Sequence, residues 1–140
     1  MANNDSNPTE FVSPDGRFSF RQYLGDDGIV YLSCTGYEDE ESAKAIMADL
    51  REVHSRIDRR YPLCIDLAEL KEMTPEARRL WGEFAFAGES VLQRVAAHGG
   101  SFFMRGVINF YARIAKMQVR VFKTQTEAVS WLKTESTNEG

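Results

Sequence analysis

Residues 61–81 read YPLCIDLAELKEMTPEARRLW, and this one stretch sets the fold class. After Pro62, the run Leu63-Cys64-Ile65-Asp66-Leu67 is short and nearly continuous in apolar residues, the pattern of a strand covered on both faces. Thr74 followed by Pro75 is a helix N-cap with proline at the first helical position. From there Ala77, Leu80, Trp81 and Phe84 share one face. Val91 and Val95 continue the spacing, so the expected helix runs on to Gly99-Gly100. A buried strand feeding an amphipathic helix is half of a βαβ unit.

Toward the N-terminus the pattern is repeated. Residues 1–16 hold Pro8, Pro14 and Gly16 among Asn, Ser and Asp, and read as a flexible lead-in. Phe18, Phe20 and Leu24 alternate with polar residues, and after Gly25-Asp26-Asp27-Gly28 a second β-rich run covers Ile29 to Thr35, which together predict a hairpin. From Glu38 the period changes. Ala43, Ile46, Met47, Leu50, Val53 and Ile57 recur at three and four, and Glu38, Asp39, Glu40 and Glu41 crowd the expected first helical turn. Toward the C-terminus, Phe102-Phe103-Met104 reads as a strand core, and Val107, Phe110, Tyr111 and Ile114 as the apolar side of a third helix. Val119 to Phe122 reads as the last strand. Thr124-Gln125-Thr126-Glu127 is a capping box that opens a closing helix through Leu132.

The sequence therefore predicts one α/β domain, a mixed and mainly parallel β-sheet with an N-terminal hairpin and about four α-helices. Its expected bounds are residues 17–133, after the lead-in of 1–16 and before a polar tail of 134–140. The chain of 140 residues is 43% hydrophobic and 27% charged, which fits a globular protein rather than a disordered one. Its longest apolar runs, such as Ile29 to Leu32, are far short of the ~18 residues a membrane-spanning helix needs, so a cytoplasmic protein is expected. Cys34 and Cys64 each lie in a strand-like run, not in a metal or redox pair, and are expected to be small buried hydrophobes.

The helix start Thr74-Pro75-Glu76-Ala77-Arg78 follows a strand that ends in Asp66-Leu67. Together with Val121-Phe122-Lys123-Thr124 and Glu127-Ala128-Val129-Ser130-Trp131-Leu132, it resembles the SpoIIAA-like proteins of the STAS/CRAL-TRIO group. That resemblance implies a non-enzymatic regulatory module, similar to the anti-sigma-factor antagonists, which dock reversibly on a protein partner such as a kinase or a scaffold. It also implies, as the alternative, a membrane-associated binder of a lipid or another apolar ligand. In the antagonists a serine at the start of this helix is phosphorylated. Here the matching place reads Met73-Thr74-Pro75-Glu76, without the Asp-Ser-Ser-Gly pattern, so Thr74 alone is the candidate phosphoacceptor or partner-docking residue.

Three further features stand out. Phe86 falls opposite the buried face of its helix, near Arg79 and Glu83, which makes Phe86 and Arg79 candidate ligand or partner contacts. Net charge is −7 over residues 1–50, zero over 51–100 and +3 over 101–140, which returns −4 for the whole chain. Between Arg105 and Lys123 there are five basic residues and no acidic one. Arg105, Arg113 and Lys116 are accordingly candidate contacts to an acidic partner or, peripherally, to an anionic membrane surface. The negative total and the lack of a recognised motif argue against nucleic acid. With two His and two Cys, the sequence offers little material for a metal centre or a nucleophilic dyad. His54 reads as a packed imidazole and His98 as a residue at a helix C-terminus. Asp66 is expected to cap loop amides. No catalytic residue, metal or cofactor is expected.

Overall fold

The sheet is mixed and mainly parallel, as the sequence implies, although one of its parallel strands comes from a segment expected to be helical. A computed structural model describes residues 8–86, 91–114 and 118–134, apart from the side chains at 85, 86, 111 and 114. The elements are β1 (Thr9–Val12), β2 (Phe18–Leu24), β3 (Val30–Glu38), α1 (Glu40–Ile57), β4 (Tyr61–Met73), α2 (Pro75–Phe86), β5 (Leu92–His98), α3 (Phe102–Ile114), β6 (Gln118–Phe122) and α4 (Gln125–Leu132). The six strands lie side by side in chain order, the first two pairings antiparallel and the remaining three parallel.

Because each parallel crossover steps the same way along the sheet, right-handed connections put α1, α2 and α3 on one face. The inward residues follow the period of two: Leu32 and Cys34, Leu63 and Ile65, and Val95 and Ala97 face those helices and meet Ile46, Leu50, Val53 and Phe84. The chain leaves β6 and doubles back, so α4 covers the opposite face, where Ala128 and Leu132 pack on Cys64 and Ala96. Both cysteines are buried and unpaired, as expected.

Four local expectations are corrected. The lead-in contains β1, whose Phe11 stacks on Phe20 at 5.3 Å and pairs with it across the ladder. Glu38 is not in the first turn of a helix: it ends β3, and Asp39 is the N-cap of α1, accepting from the Ser42 N–H at 2.9 Å. The second helix stops at Phe86, and residues 92–98, expected to prolong it, form β5. Val95, Ala96 and Ala97 are all buried. A strand covered on both faces loses the period that separates it from a helix. Gly99 and Gly100, at φ 74° and 81°, therefore turn the chain out of a strand instead of closing a helix. Phe102-Phe103-Met104, expected as strand, opens α3, where Ser101 Oγ accepts the Met104 N–H at 3.0 Å.

Candidate functional site

Ligands of open α/β sheets gather at the carboxyl ends of parallel strands. Here those ends are Glu38, Met73 and His98, and they feed the first turns of α1, α2 and α3. Glu38 is 1% exposed. Its Oε2 accepts the indole N–H of Trp81 at 2.7 Å, and its backbone carbonyl accepts the N–H of Thr74 at 2.9 Å. Burial raises the carboxyl pKa to about 7, against the opposing effect of the Trp81 hydrogen bond.

Behind this pair, between the sheet and α2 with α3, lies a cavity of about 80 Å³. Among the described residues its walls are apolar except for Glu38 and Arg78. An outer groove of about 520 Å³ runs over the surface beside it, lined by Arg78, Phe102, Phe103, Gly106, Val107 and Phe110. Arg78 and Val107 line both spaces. Phe102 is 86% exposed, Phe103 64% and Phe110 61%, so α3 carries aromatic rings on its outer face as well as apolar residues on its inner one. Clustered exposed aromatics of this kind mark interaction surfaces.

Thr74 caps α2, its Oγ1 accepting the Ala77 N–H at 3.2 Å, and its carbonyl accepts the N–H of Arg78 at 2.9 Å. It therefore lies one turn from the groove. Arg78 is tethered through Nη1 to the Met73 carbonyl at 2.7 Å. Arg105 is similarly held by the Gly100 carbonyl at 3.1 Å, and Arg113 is exposed in the last turn of α3. None of these three arginines has an acidic partner among the described residues. Arg79 points elsewhere, toward α1, pairing with Glu83 at 3.0 Å and Glu40 at 3.9 Å. The side chain of Phe86 and the whole of Lys116 lie outside the described residues.

The sequence reading brought Thr74, Arg105 and Arg113 forward and passed over Glu38, Arg78, Trp81, Phe102 and Phe103. Three of these could have been found. Glu38 continues the even-numbered inward phase of Val30, Leu32 and Cys34. Phe102 and Phe103 follow Ser101, an N-cap type. On the opposite face, His98 lies at the end of β5, not of a helix, with Nδ1 4.0 Å from Asp66, and burial lowers its pKa. Asp66 accepts the Ala68 N–H at 2.9 Å, the amide-capping role expected of it. Among the described residues no three His, Cys, Asp or Glu side chains are grouped to hold a metal, and no helix is long and apolar enough to cross a membrane.

Comparison with solved structures places this fold. A protein of the DUF3478 family with a SpoIIAA-like fold from Shewanella loihica PV-4 superposes with a TM-score of 0.64 at 15% identity, covering 82% of this chain and 93% of that one. The anti-sigma factor antagonist SpoIIAA in its unphosphorylated form gives 0.62 at 17% identity, covering 83% and 99%. An anti-sigma factor antagonist from Mycobacterium paratuberculosis gives 0.55 at 18%, covering 88% and 99%. The fold is thus SpoIIAA-like, as the sequence resemblance implied, while nothing among these structures bears out the CRAL-TRIO part of that resemblance. No curated protein matches the sequence. The family model described as "Domain of unknown function (DUF7793)" matches residues 23–136, and the chain belongs to that family.

Proposed function

We propose that the protein is a non-enzymatic regulatory module that binds a protein partner reversibly through the outer surface of α2 and α3. The observation that carries this reading is the exposed aromatic face of α3, Phe102, Phe103 and Phe110, set beside three arginines that have no acidic partner among the described residues. Apolar rings supply contact area, and unneutralised guanidinium groups favour a partner with an apolar segment flanked by acidic residues. Two of the structural neighbours are anti-sigma factor antagonists, proteins whose name states an action on another protein, which supports the same class of role. Thr74, capping the helix next to this surface, is the position where phosphorylation would alter docking. An added phosphate would meet the free N–H groups of the first turn, and repulsion from Glu72 and Glu76 would oppose it.

Site-specific photocrosslinking in the cell of origin tests the proposal. A crosslinker replacing Phe103 is expected to capture a discrete protein, whereas one replacing Lys133, near α4 on the far side, captures none. Adducts at both positions alike, or adducts to lipid only, would contradict it. The second outcome would favour the membrane reading, in which Arg105, Arg113 and Lys116 meet an anionic surface.

A further inference from the structure

We propose that the outer face of α3 forms a two-fold contact between two copies of this chain, the two α3 helices crossing antiparallel at Gly106. The inference rests on the reading of this face as an interaction surface, and adds that in the purified protein a second copy covers it.

Gly106 is the first argument. Glycine inside a helix weakens it relative to alanine. A Cβ at Gly106 would meet no atom of the described residues within 4 Å, so nothing in the packing of the single chain requires glycine there. Gly106 is exposed and lines the outer groove with Phe102, Phe103 and Phe110. A helix that is bare at one point between large rings admits a second helix backbone at that point, closer than the usual axial separation of roughly 8–10 Å.

Symmetry indicates which helix. Phe102, Gly106 and Phe110 are four residues apart and form one row along α3. The row reads the same in both directions from Gly106. Under a two-fold axis at Gly106, Phe102 of each copy opposes Phe110 of the other, and the contact is closed and self-complementary. The exposed parts of the three rings amount to roughly 400 Å² per copy, about half of the ~800 Å² per partner in a stable interface. Asn109 and Arg113, exposed on the same helix, and the first turn of α2 add to that area.

Charge agrees with the symmetry. An antiparallel crossing brings the end of each α3 to the start of the other. Counting outward from Gly106, Arg113 falls opposite Gly99 of the second copy. The Gly99 turn lies against Ala68, whose atoms a Cβ at Gly99 would meet at 3.0–3.3 Å. Over residues 68–76 the exposed charges are Glu69, Glu72 and Glu76 against Lys71. Arg78 and Arg105, half-buried at this end, are each bonded to a backbone carbonyl. Arg113 therefore arrives at an acidic edge, with Glu69 the first acid beyond Ala68, and the pair occurs twice in the dimer.

Sedimentation equilibrium of the purified full chain over a concentration series tests the proposal, with a monomer–dimer equilibrium as the expected result. Gly106→Leu, which puts a side chain at the crossing, is expected to weaken the dimer at least tenfold. Gly106→Ala separates this contact from a structural role: it is expected to raise the urea midpoint of the dilute monomer while weakening the dimer at least threefold. Arg113→Glu is expected to weaken the dimer at least threefold, and adding Glu69→Arg to restore it. The proposal is overturned by a chain that stays monomeric throughout, by a dimer that Gly106→Leu leaves unchanged, or by a charge-reversed pair no tighter than Arg113→Glu alone. A monomeric chain would leave the partner reading standing, since that reading is tested by an adduct to a different protein at Phe103. An adduct at Phe103 to this chain alone would sustain the dimer and contradict the partner reading.

Discussion

Trp81, in the second turn of α2, donates its indole N–H to the carboxylate of Glu38, the last residue of β3, at 2.7 Å. The bond joins residues 43 positions apart. With the Thr74 N–H on the Glu38 carbonyl, it fixes the start of α2 against the end of β3. A buried polar contact of this kind sets where the helix sits, and through it where Thr74 and Arg78 emerge at the surface.

Stability carries the signature of Glu38. The carboxyl is raised from 4.5 to about 7 by burial, so the folded state holds its proton where the unfolded state has released it. The Glu38 contribution is therefore most favourable below about pH 4.5 and is lost as pH rises toward 7, by on the order of 3 kcal/mol. Glu38→Gln keeps an acceptor for Trp81 and removes the titration. Urea unfolding of both proteins from pH 5 to pH 8 is expected to show the variant gaining on wild type as pH rises. His98, whose pKa is lowered by burial, acts in the opposite sense in both proteins and cancels in the difference. A difference that stays flat across this range would be inconsistent with a buried, proton-holding Glu38.

Thr74→Ala removes the side-chain acceptor for the Ala77 N–H and is expected to cost about 1 kcal/mol, with Thr74→Ser recovering most of it. Chemical denaturation reads both. An unchanged midpoint in Thr74→Ala would mean that the hydroxyl does not cap α2.

Gly99 occupies φ 74°, and a Cβ there would approach the Ala68 backbone at 3.0–3.2 Å. Gly99→Ala therefore adds a left-handed penalty of ~1–2 kcal/mol to a contact that has to give way. A melting temperature lowered by several degrees is expected, and an unaltered one would mean that this turn relaxes freely.

The exposed rings of α3 separate stability from function. Phe102→Ser and Phe103→Ser each expose no core, so each is expected to keep stability within about 0.5 kcal/mol of wild type. A loss of several kcal/mol in a denaturant titration would show these rings to be structural instead.

How much of this was legible in the sequence depended on periodicity. α1 and the hairpin were plain because one face of each is buried and the other is wet, so Leu50 and Val53, or Phe18 and Phe20, stand out from their neighbours. β5 was misread because Val95, Ala96 and Ala97 are buried on both sides and Ala favours helices, leaving no alternation to detect. That error displaced Phe102-Phe103-Met104 into a strand and hid the aromatic face of α3. Glu38 was lost to a run of four acids, in which the buried member cannot be told from solvated ones by type. The cavity had no sequence signal, since it is a property of how α2 and α3 sit on the sheet. Thr74 was readable because capping is local: Thr-Pro announces a helix start whatever surrounds it.

The surface of α2 and α3 is the centre of the account, and the affinity of a partner captured at Phe103 tests it most directly. Calorimetric titration of that partner into wild type and into the Phe102→Ser/Phe103→Ser double variant is expected to show at least a tenfold loss of affinity, together with weaker wild-type binding at high salt as the arginines are screened. Equal affinity for the two folded proteins would contradict it.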